Sequence, residues 1–193
     1  MQTIRHGLVL LWAACVVAVA AACTSTPEPA TEVKQGPAYA SLKDPAVVKV
    51  VPIVLPERID GSKDPGDEEK WRLEWPQRGA NIVSDAIIDS SKGRVTARPV
   101  KDQPTEGWIV EVRVTSLDVG DAGKRQTSAF SSDSREGWSR TVADCRIINA
   151  ATGEVAATLT LEHRTGSVLA WSVPFENDMD IIGERIGAWL AQR

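Results

Sequence analysis

Residues 141–163, TVADCRIINAATGEVAATLTLEH, contain the pattern that decides the fold. On each side of a turn at Gly153, apolar side chains alternate with polar ones, which is typical of β-strands with one buried face. The apolar residues of both strands have odd numbers. If both apolar faces are to lie on the same side of the sheet, the two residue numbers of each cross-strand pair must therefore sum to an even number. A three-residue loop, Ala151–Gly153, meets this condition, and Gly153 suits its left-handed position. The predicted hairpin therefore pairs Ala150 with Glu154, Cys145 with Leu159, and Thr141 with His163.

The other elements follow from hydrophobic periodicity. Residues 47–55 are apolar and β-branched and predict a strand, and residues 94–100 and 108–115 predict two more. Residues 68–90 predict a helix that is divided or kinked around Pro76 and Gly79. An apolar stripe from Phe175 to Leu190 predicts a second amphipathic helix. The order indicates an α+β fold, with a mainly antiparallel sheet of about five strands and two amphipathic helices packed on one face.

The amino-terminal residues predict export. Residues 7–22 carry no charge and follow one firm positive charge, Arg5, and the stretch is shorter than the ~20 apolar residues that span a bilayer. Small residues then precede Cys23, after which Thr, Ser, Pro and Glu dominate. We expect a cleaved signal peptide at 1–22, a flexible Pro-rich tether at 23–45 and one globular domain at 46–193.

The alanines directly before Cys23 resemble the lipobox of bacterial lipoproteins, although Ala20 stands where that family usually has Leu. The resemblance implies cleavage between Ala22 and Cys23 and attachment of acyl chains such as palmitate, so that the protein would be anchored to the membrane. Thr24 and Ser25 follow Cys23 with no Asp, which by the same resemblance favours the outer membrane, facing the periplasm. The residues alone leave open an ordinary secretory peptide or an uncleaved anchor.

The net charge and the scarcity of cysteine and histidine exclude several classes of function. The net charge is −4 and the basic residues are scattered among acids, which argues against nucleic acid as a partner. Outside the leader and the lipid position, Cys145 is the one cysteine and His163 the one histidine, so an internal disulfide and a two-histidine zinc site are excluded. The predicted register separates these two residues by about 13 Å, too far for a nucleophilic pair. We predict no catalytic residue, metal or cofactor.

Tryptophan is unusually frequent, with seven in the chain. Trp71 and Trp75 are spaced by one helical turn, and Trp138 borders a long polar connection at 118–137, which we expect to be mobile or functional. Exposed tryptophans anchor protein partners or stack on sugars, whereas buried ones merely fill a core. Trp71, Trp75 and Trp138 are therefore the candidate contacts with a partner or a glycan, and core packing is the alternative.

The order of elements, with the turn NAATGEV at 149–155, resembles small α/β domains of envelope lipoproteins. Similar proteins are the curli-secretion lipoprotein, the amino-terminal domain of TolB and the lipopolysaccharide-assembly lipoprotein. The resemblance implies a non-catalytic lipoprotein that binds an envelope protein partner in an assembly or transport complex. The alternative from the residues is a glycan-binding or glycan-cleaving periplasmic module that uses tryptophans and surface carboxylates.

Overall fold

The computed structural model describes residues 32–43, 45–61, 65–121, 124, 137–165 and 174–193. Its strands and helices are β1 Glu32–Gln35, β2 Val47–Val50, α1 Pro65–Ser90, β3 Thr96–Pro99, β4 Trp108–Asp118, β5 Ser139–Asn149, β6 Val155–Thr165 and α2 Pro174–Leu190. A short 3₁₀ turn, Pro37–Ser41, follows β1. The expected signal peptide, the Ala22–Cys23 cleavage position and most of the 118–137 connection lie outside the described residues.

The strands form one open mixed sheet with the order β1-β6-β5-β4-β2-β3. Strands β1, β6, β5 and β4 are antiparallel neighbours, while β2 runs parallel to both β3 and β4. The parallel pairing of β2 with β3 follows from α1, which crosses over between them. The predicted α+β class, with both helices against the sheet, is confirmed, and the described sheet has six strands where about five were expected.

The β5–β6 hairpin confirms the central register, because Cys145 faces Leu159 and Thr141 faces His163. The loop differs from the prediction. The register shifts between Ile147 and Ile148, so that Ile148 faces Val155, and the amide of Asn149 donates to the carbonyl of Glu154. The turn is thus one residue longer than expected, and a bulge absorbs the extra residue without moving the apolar set to the other face. Gly153 has the predicted left-handed conformation, with φ of 72°.

The core lies between the helices and one face of the sheet. Alternate residues of the three long strands point into it and are at most 1% exposed: Val110, Val112, Val114, Ala143, Cys145, Ile147, Ala157, Leu159 and Leu161. Full burial of a Val, Leu or Ile side chain contributes roughly 1.5–3 kcal/mol. The intervening residues, such as Glu111, Asp144 and Arg146, point to the opposite face, which we call the open face. Besides these polar residues it carries a small buried apolar cluster of Val51, Ile109 and Ile148.

Helix α1 continues through Pro76 instead of dividing there. The Pro76 carbonyl accepts a hydrogen bond of 2.9 Å from the Ile53 amide, which belongs to the segment following β2. A Cβ on Gly79 would lie 2.5 Å from Ile53 Cδ1, so glycine is what lets this segment approach the helix. Pro76 and Gly79 therefore mark a crossing of two segments rather than the end of a helix.

The ordered domain begins earlier than the sequence predicts. Residues 32–35 form β1, which pairs with β6, and the 3₁₀ turn that follows buries Ala38 and Leu42 in the core. The expected tether at 23–45 is therefore shorter, since residues 32–42 of it belong to the sheet and core. The hydrophobic pattern did not predict β1, because its four residues, EVKQ, are all exposed at the edge of the sheet.

Candidate functional site

Asp178, near the start of α2, is the most enclosed acidic group among the described residues, with no exposed surface. Its Oδ1 accepts hydrogen bonds from Thr165 Oγ1 at 2.6 Å and lies 2.8 Å from His163 Nδ1. Its Oδ2 accepts from Thr141 Oγ1 at 2.7 Å and Ser139 Oγ at 3.3 Å. We call these five residues the Asp178 cluster. Because every donor comes from β5 or β6, the cluster fastens α2 to the centre of the sheet.

The geometry of this cluster differs from that of a hydrolytic triad. In a triad, one imidazole nitrogen contacts the acid and the other contacts the nucleophilic hydroxyl. Here the hydroxyls of Ser139, Thr141 and Thr165 bond the carboxylate itself, and Thr165 Oγ1 lies 3.4 Å from His163 Nδ1, the nitrogen that already contacts the acid. The cluster therefore satisfies a buried carboxylate and positions a helix.

Sequence reasoning paired Thr141 with His163 correctly but did not link either residue to Asp178. The signal was present in the second helix. Phe175, Asp178 and Ile182 are spaced three and four residues apart and share one face, so an acid stands within an otherwise apolar stripe. A buried carboxylate requires several donors, and the threonines of β5 and β6 supply them.

Cys145 is a core residue. It is fully buried on the helix-facing side of β5, opposite Leu159, and burial raises the pKa of its thiol well above the ordinary value, with a smaller contribution from Asp144. Nucleophilic cysteines are thiolates, so this environment makes Cys145 unreactive in the folded protein.

Two of the three candidate tryptophans lie together. Trp71 and Trp75 on α1 form an aromatic cluster with Phe175 on α2, with ring centroids 4.9–5.4 Å apart. Trp75 is buried, and the Arg78 guanidinium lies 4.8 Å from the centre of its ring. Trp71 is half-buried and packs against the core. Both therefore contribute to the packing between the two helices.

Trp138 lies at a different place, immediately before β5. It lines a pocket of about 510 Å³ together with Asp118 from the end of β4, Arg140 from β5 and Arg164 from β6. Arg140 faces Asp118 on one side and Arg164 on the other, so these three residues form one row across the open face. Strand alternation places Trp138 on the same face as Arg140. We call this site the Trp138 pocket.

Ionic bonds fix the two arginines of this pocket. Arg140 donates through Nε and Nη2 to the two carboxylate oxygens of Glu162, at 2.8 and 3.0 Å, and Arg164 Nε donates to Oε1 at 3.0 Å. These bonds, led by that from Arg140, lower the pKa of Glu162 to about 2. The hydrogen bond with Glu162 is also the main reason why the pKa of Arg140 is raised, and Asp118 adds to it.

Two further properties of the described part of the chain concern metal binding and membrane insertion. Within it, no group of three or more His, Cys, Asp and Glu side chains is placed to hold a metal ion. Neither of its two helices combines the length and apolar content needed to cross a bilayer.

No protein-family model matches the chain, and no curated protein matches it by sequence. Among solved structures, the fold is similar to that of the PelC dodecamer from Paraburkholderia phytofirmans, with 14% identity, a TM-score of 0.50, and 84% of this chain and 97% of that chain covered. Protein XCC0632 from Xanthomonas campestris has 14% identity and a TM-score of 0.41, covering 86% and 95%. Lipoprotein GNA1162 from Neisseria meningitidis has 12% identity and a TM-score of 0.39, covering 77% and 100%. At this level of identity, the similarity to PelC shows a shared fold.

Proposed function

We propose that this protein is a non-catalytic, lipid-anchored envelope protein that works by binding a protein partner in an assembly or transport complex. The observation that carries the proposal is the open sheet, whose two exposed edge strands lie at its opposite ends. Unpaired edges offer backbone donors and acceptors to another chain. The similar fold of PelC, which forms a dodecamer, supports a role for such a domain in assembly.

The two edge strands, β1 and β3, differ in sequence, and this difference favours contacts between the β1 edge of one molecule and the β3 edge of another. Strand β1 is fully exposed and carries Val33, an apolar side chain that is 41% exposed. Strand β3, at the other end, has exposed Thr96 and Arg98 and ends at Pro99, which lacks a donor. Contacts between unlike edges are heterologous and produce rings or filaments. The first partner that we propose is therefore another copy of this chain.

The anchor in this proposal is Cys23, with cleavage after Ala22 and the outer membrane as the destination. Each buried methylene contributes about 0.8 kcal/mol, so several acyl chains hold a protein firmly where one chain holds it marginally. Intact mass of the membrane-extracted protein, beside a Cys23→Ala variant, tests this part. We expect a chain that begins at Cys23 with added acyl mass, and an unmodified chain cut elsewhere would contradict the anchor.

Site-specific photocrosslinking in cells tests the partner. A photoreactive residue is placed at Lys34 on β1, at Arg98 on β3, and at Asp85, an exposed α1 position that serves as control. We expect adducts from the two edges and none from Asp85, with the mass of the adduct identifying another copy or a different envelope protein. Edges that give no adduct in cells where the protein is folded and anchored would overturn the proposal.

A further inference from the structure

The Trp138 pocket is an open, mainly polar depression with the volume of a small-molecule site. Its volume of about 510 Å³ lies within the usual range of roughly 300–1,000 Å³ for ligand pockets. An aromatic side chain, two guanidinium groups and a carboxylate converge on it from three neighbouring strands. We propose that this pocket binds an uncharged saccharide, with Trp138 contacting the apolar face of a sugar ring.

The charge balance of the pocket selects the class of ligand. Three basic and three acidic side chains line or adjoin it: Lys124, Arg140, Arg164, Asp118, Asp121 and Glu162. An anion entering the pocket meets three carboxylates, and a cation meets three basic groups, so neither gains a net attraction. A neutral ligand with many hydroxyl groups uses both kinds of group, because hydroxyls donate to carboxylates and accept from guanidinium groups.

The arginines retain donors for such a ligand. Arg164 uses only Nε in its bond to Glu162, which leaves the terminal guanidinium nitrogens outside that bond. Arg140 uses Nε and Nη2, which leaves Nη1 outside it. Their side chains are 46% and 41% exposed, so both guanidinium groups are partly accessible to solvent. Glu162 thus positions both guanidinium groups and leaves some of their N–H donors for a ligand.

Three glycines allow close approach of a ligand to the wall of the pocket. Gly61, Gly120 and Gly137 line it, and all three have left-handed backbone conformations with φ between 70° and 80°. Glycine permits this conformation and presents backbone rather than side chain to a ligand. Ser139, also in the lining, is bonded to Asp178, so the buried cluster fixes the start of β5 between Trp138 and Arg140.

Two-dimensional NMR of the indole N–H groups tests the proposal on the full chain. The protein is extracted in lauryldimethylamine oxide, since a detergent with a sugar headgroup would compete for the site. The six indole signals that remain after loss of Trp12 with the signal peptide are recorded, and that of Trp138 is assigned with Trp138→Phe. Chitotetraose, maltotetraose and inorganic phosphate are titrated separately to about 10 mM, which covers the millimolar affinities of weak ligands.

We expect at least one of the two sugars, and not phosphate, to shift the Trp138 signal in a saturable way. Arg164→Gln, followed by the Trp138 signal, should weaken binding by about threefold to tenfold, as loss of one hydrogen-bond contact does. Trp138→Ala has no such signal, so its binding is measured by titration calorimetry beside the parent and should be weaker by a similar factor. The control Arg98→Gln, on the remote edge strand, should bind normally. The proposal is overturned if neither sugar shifts Trp138 in folded protein, if phosphate alone does, or if Arg164→Gln binds as tightly as the parent. None of these outcomes depends on the partner proposed for the sheet edges.

Discussion

The Asp178 carboxylate shows how a single residue can hold an element in place. It is fully buried and takes hydrogen bonds from three hydroxyl groups besides its contact with His163. Removing one member of a buried network leaves the other members unsatisfied, which costs more than the bonds contribute to stability. The three hydroxyls have little access to water as replacements, because Ser139, Thr141 and Thr165 are all buried.

We therefore expect Asp178→Ala to lower the free energy of unfolding by about 3–5 kcal/mol, measured by urea denaturation. The matched control is Asp180→Asn, two residues along the same helix. Partial desolvation by the neighbouring helix surface, followed by repulsion from Asp89, raises the pKa of Asp180, so its charge is already slightly unfavourable. That control should leave stability unchanged or slightly higher. An Asp178→Ala protein as stable as the parent would show that the cluster contributes nothing.

The Glu162 carboxylate should impose a pH dependence on stability. Its folded pKa of about 2 lies below the ordinary value of 4.5, so the ionised form is favoured in the folded state. The resulting stabilisation is present above the unfolded pKa and is lost as the pH falls from about 4.5 through 2. Because the side chain is 35% exposed, solvent screening limits the contribution to about 1 kcal/mol.

Glu162→Gln tests this prediction at the same position. The difference in unfolding free energy between parent and variant should be constant from pH 7 to about pH 5 and should shrink steadily below that. Added salt should reduce the difference at pH 7, since the pairs with Arg140 and Arg164 are partly exposed. A difference that stays constant down to pH 2 would assign the effect to packing instead of charge.

At the scale of elements, two glycines determine how the helices pack. A Cβ on Gly183 would lie 2.6 Å from Ala86 Cβ and 2.9 Å from the Val83 carbonyl oxygen of α1. A Cβ on Gly187 would lie 2.6 Å from the Ile87 carbonyl oxygen. Since these neighbours include backbone atoms, the helices can accommodate a methyl group only by separating.

Gly187→Ala should therefore destabilise the protein by about 1–3 kcal/mol, although alanine is the better helix former by about 1 kcal/mol. Asp85→Ala is the control for helix propensity, because Asp85 is exposed on α1. It should change stability by less than ~0.5 kcal/mol. Thermal unfolding of both variants distinguishes packing from propensity, and a stabilised Gly187→Ala protein would contradict the close approach of the helices.

What the sequence could predict also depends on the element. The register of β5 and β6 was predictable because each strand has one apolar face, and a slip of one residue would expose it. Strand β1 could not be predicted, because its four residues are all exposed and do not alternate between apolar and polar. The continuity of α1 through Pro76 could not be predicted, because proline inside a helix usually breaks or kinks it. The Trp138 pocket joins three strand ends, and single-strand patterns cannot show such a meeting.

At the scale of the molecule, the early start of the sheet limits how far the domain stands from its proposed anchor. From Cys23 to Glu32 there are nine Cα–Cα steps, which span at most about 32 Å at ~3.6 Å per step. Strand β3 lies five strand spacings from β1 in the sheet order, or about 24 Å at ~4.8 Å per spacing. If Cys23 is acylated, the β1 edge is held nearer to the bilayer, on average, than the β3 edge.

Fluorescence quenching in lipid vesicles tests this orientation. A thiol-reactive fluorophore is attached to Lys34→Cys on β1 or to Arg98→Cys on β3, both exposed positions, and the bilayer carries a headgroup quencher. Buried Cys145 does not compete for the label in folded protein, because burial raises the pKa of its thiol. We expect stronger quenching at position 34 than at 98, and loss of both signals when Cys23→Ala is added. Equal quenching at the two edges would mean that the domain has no preferred orientation, whereas stronger quenching at 98 would place the opposite edge against the membrane.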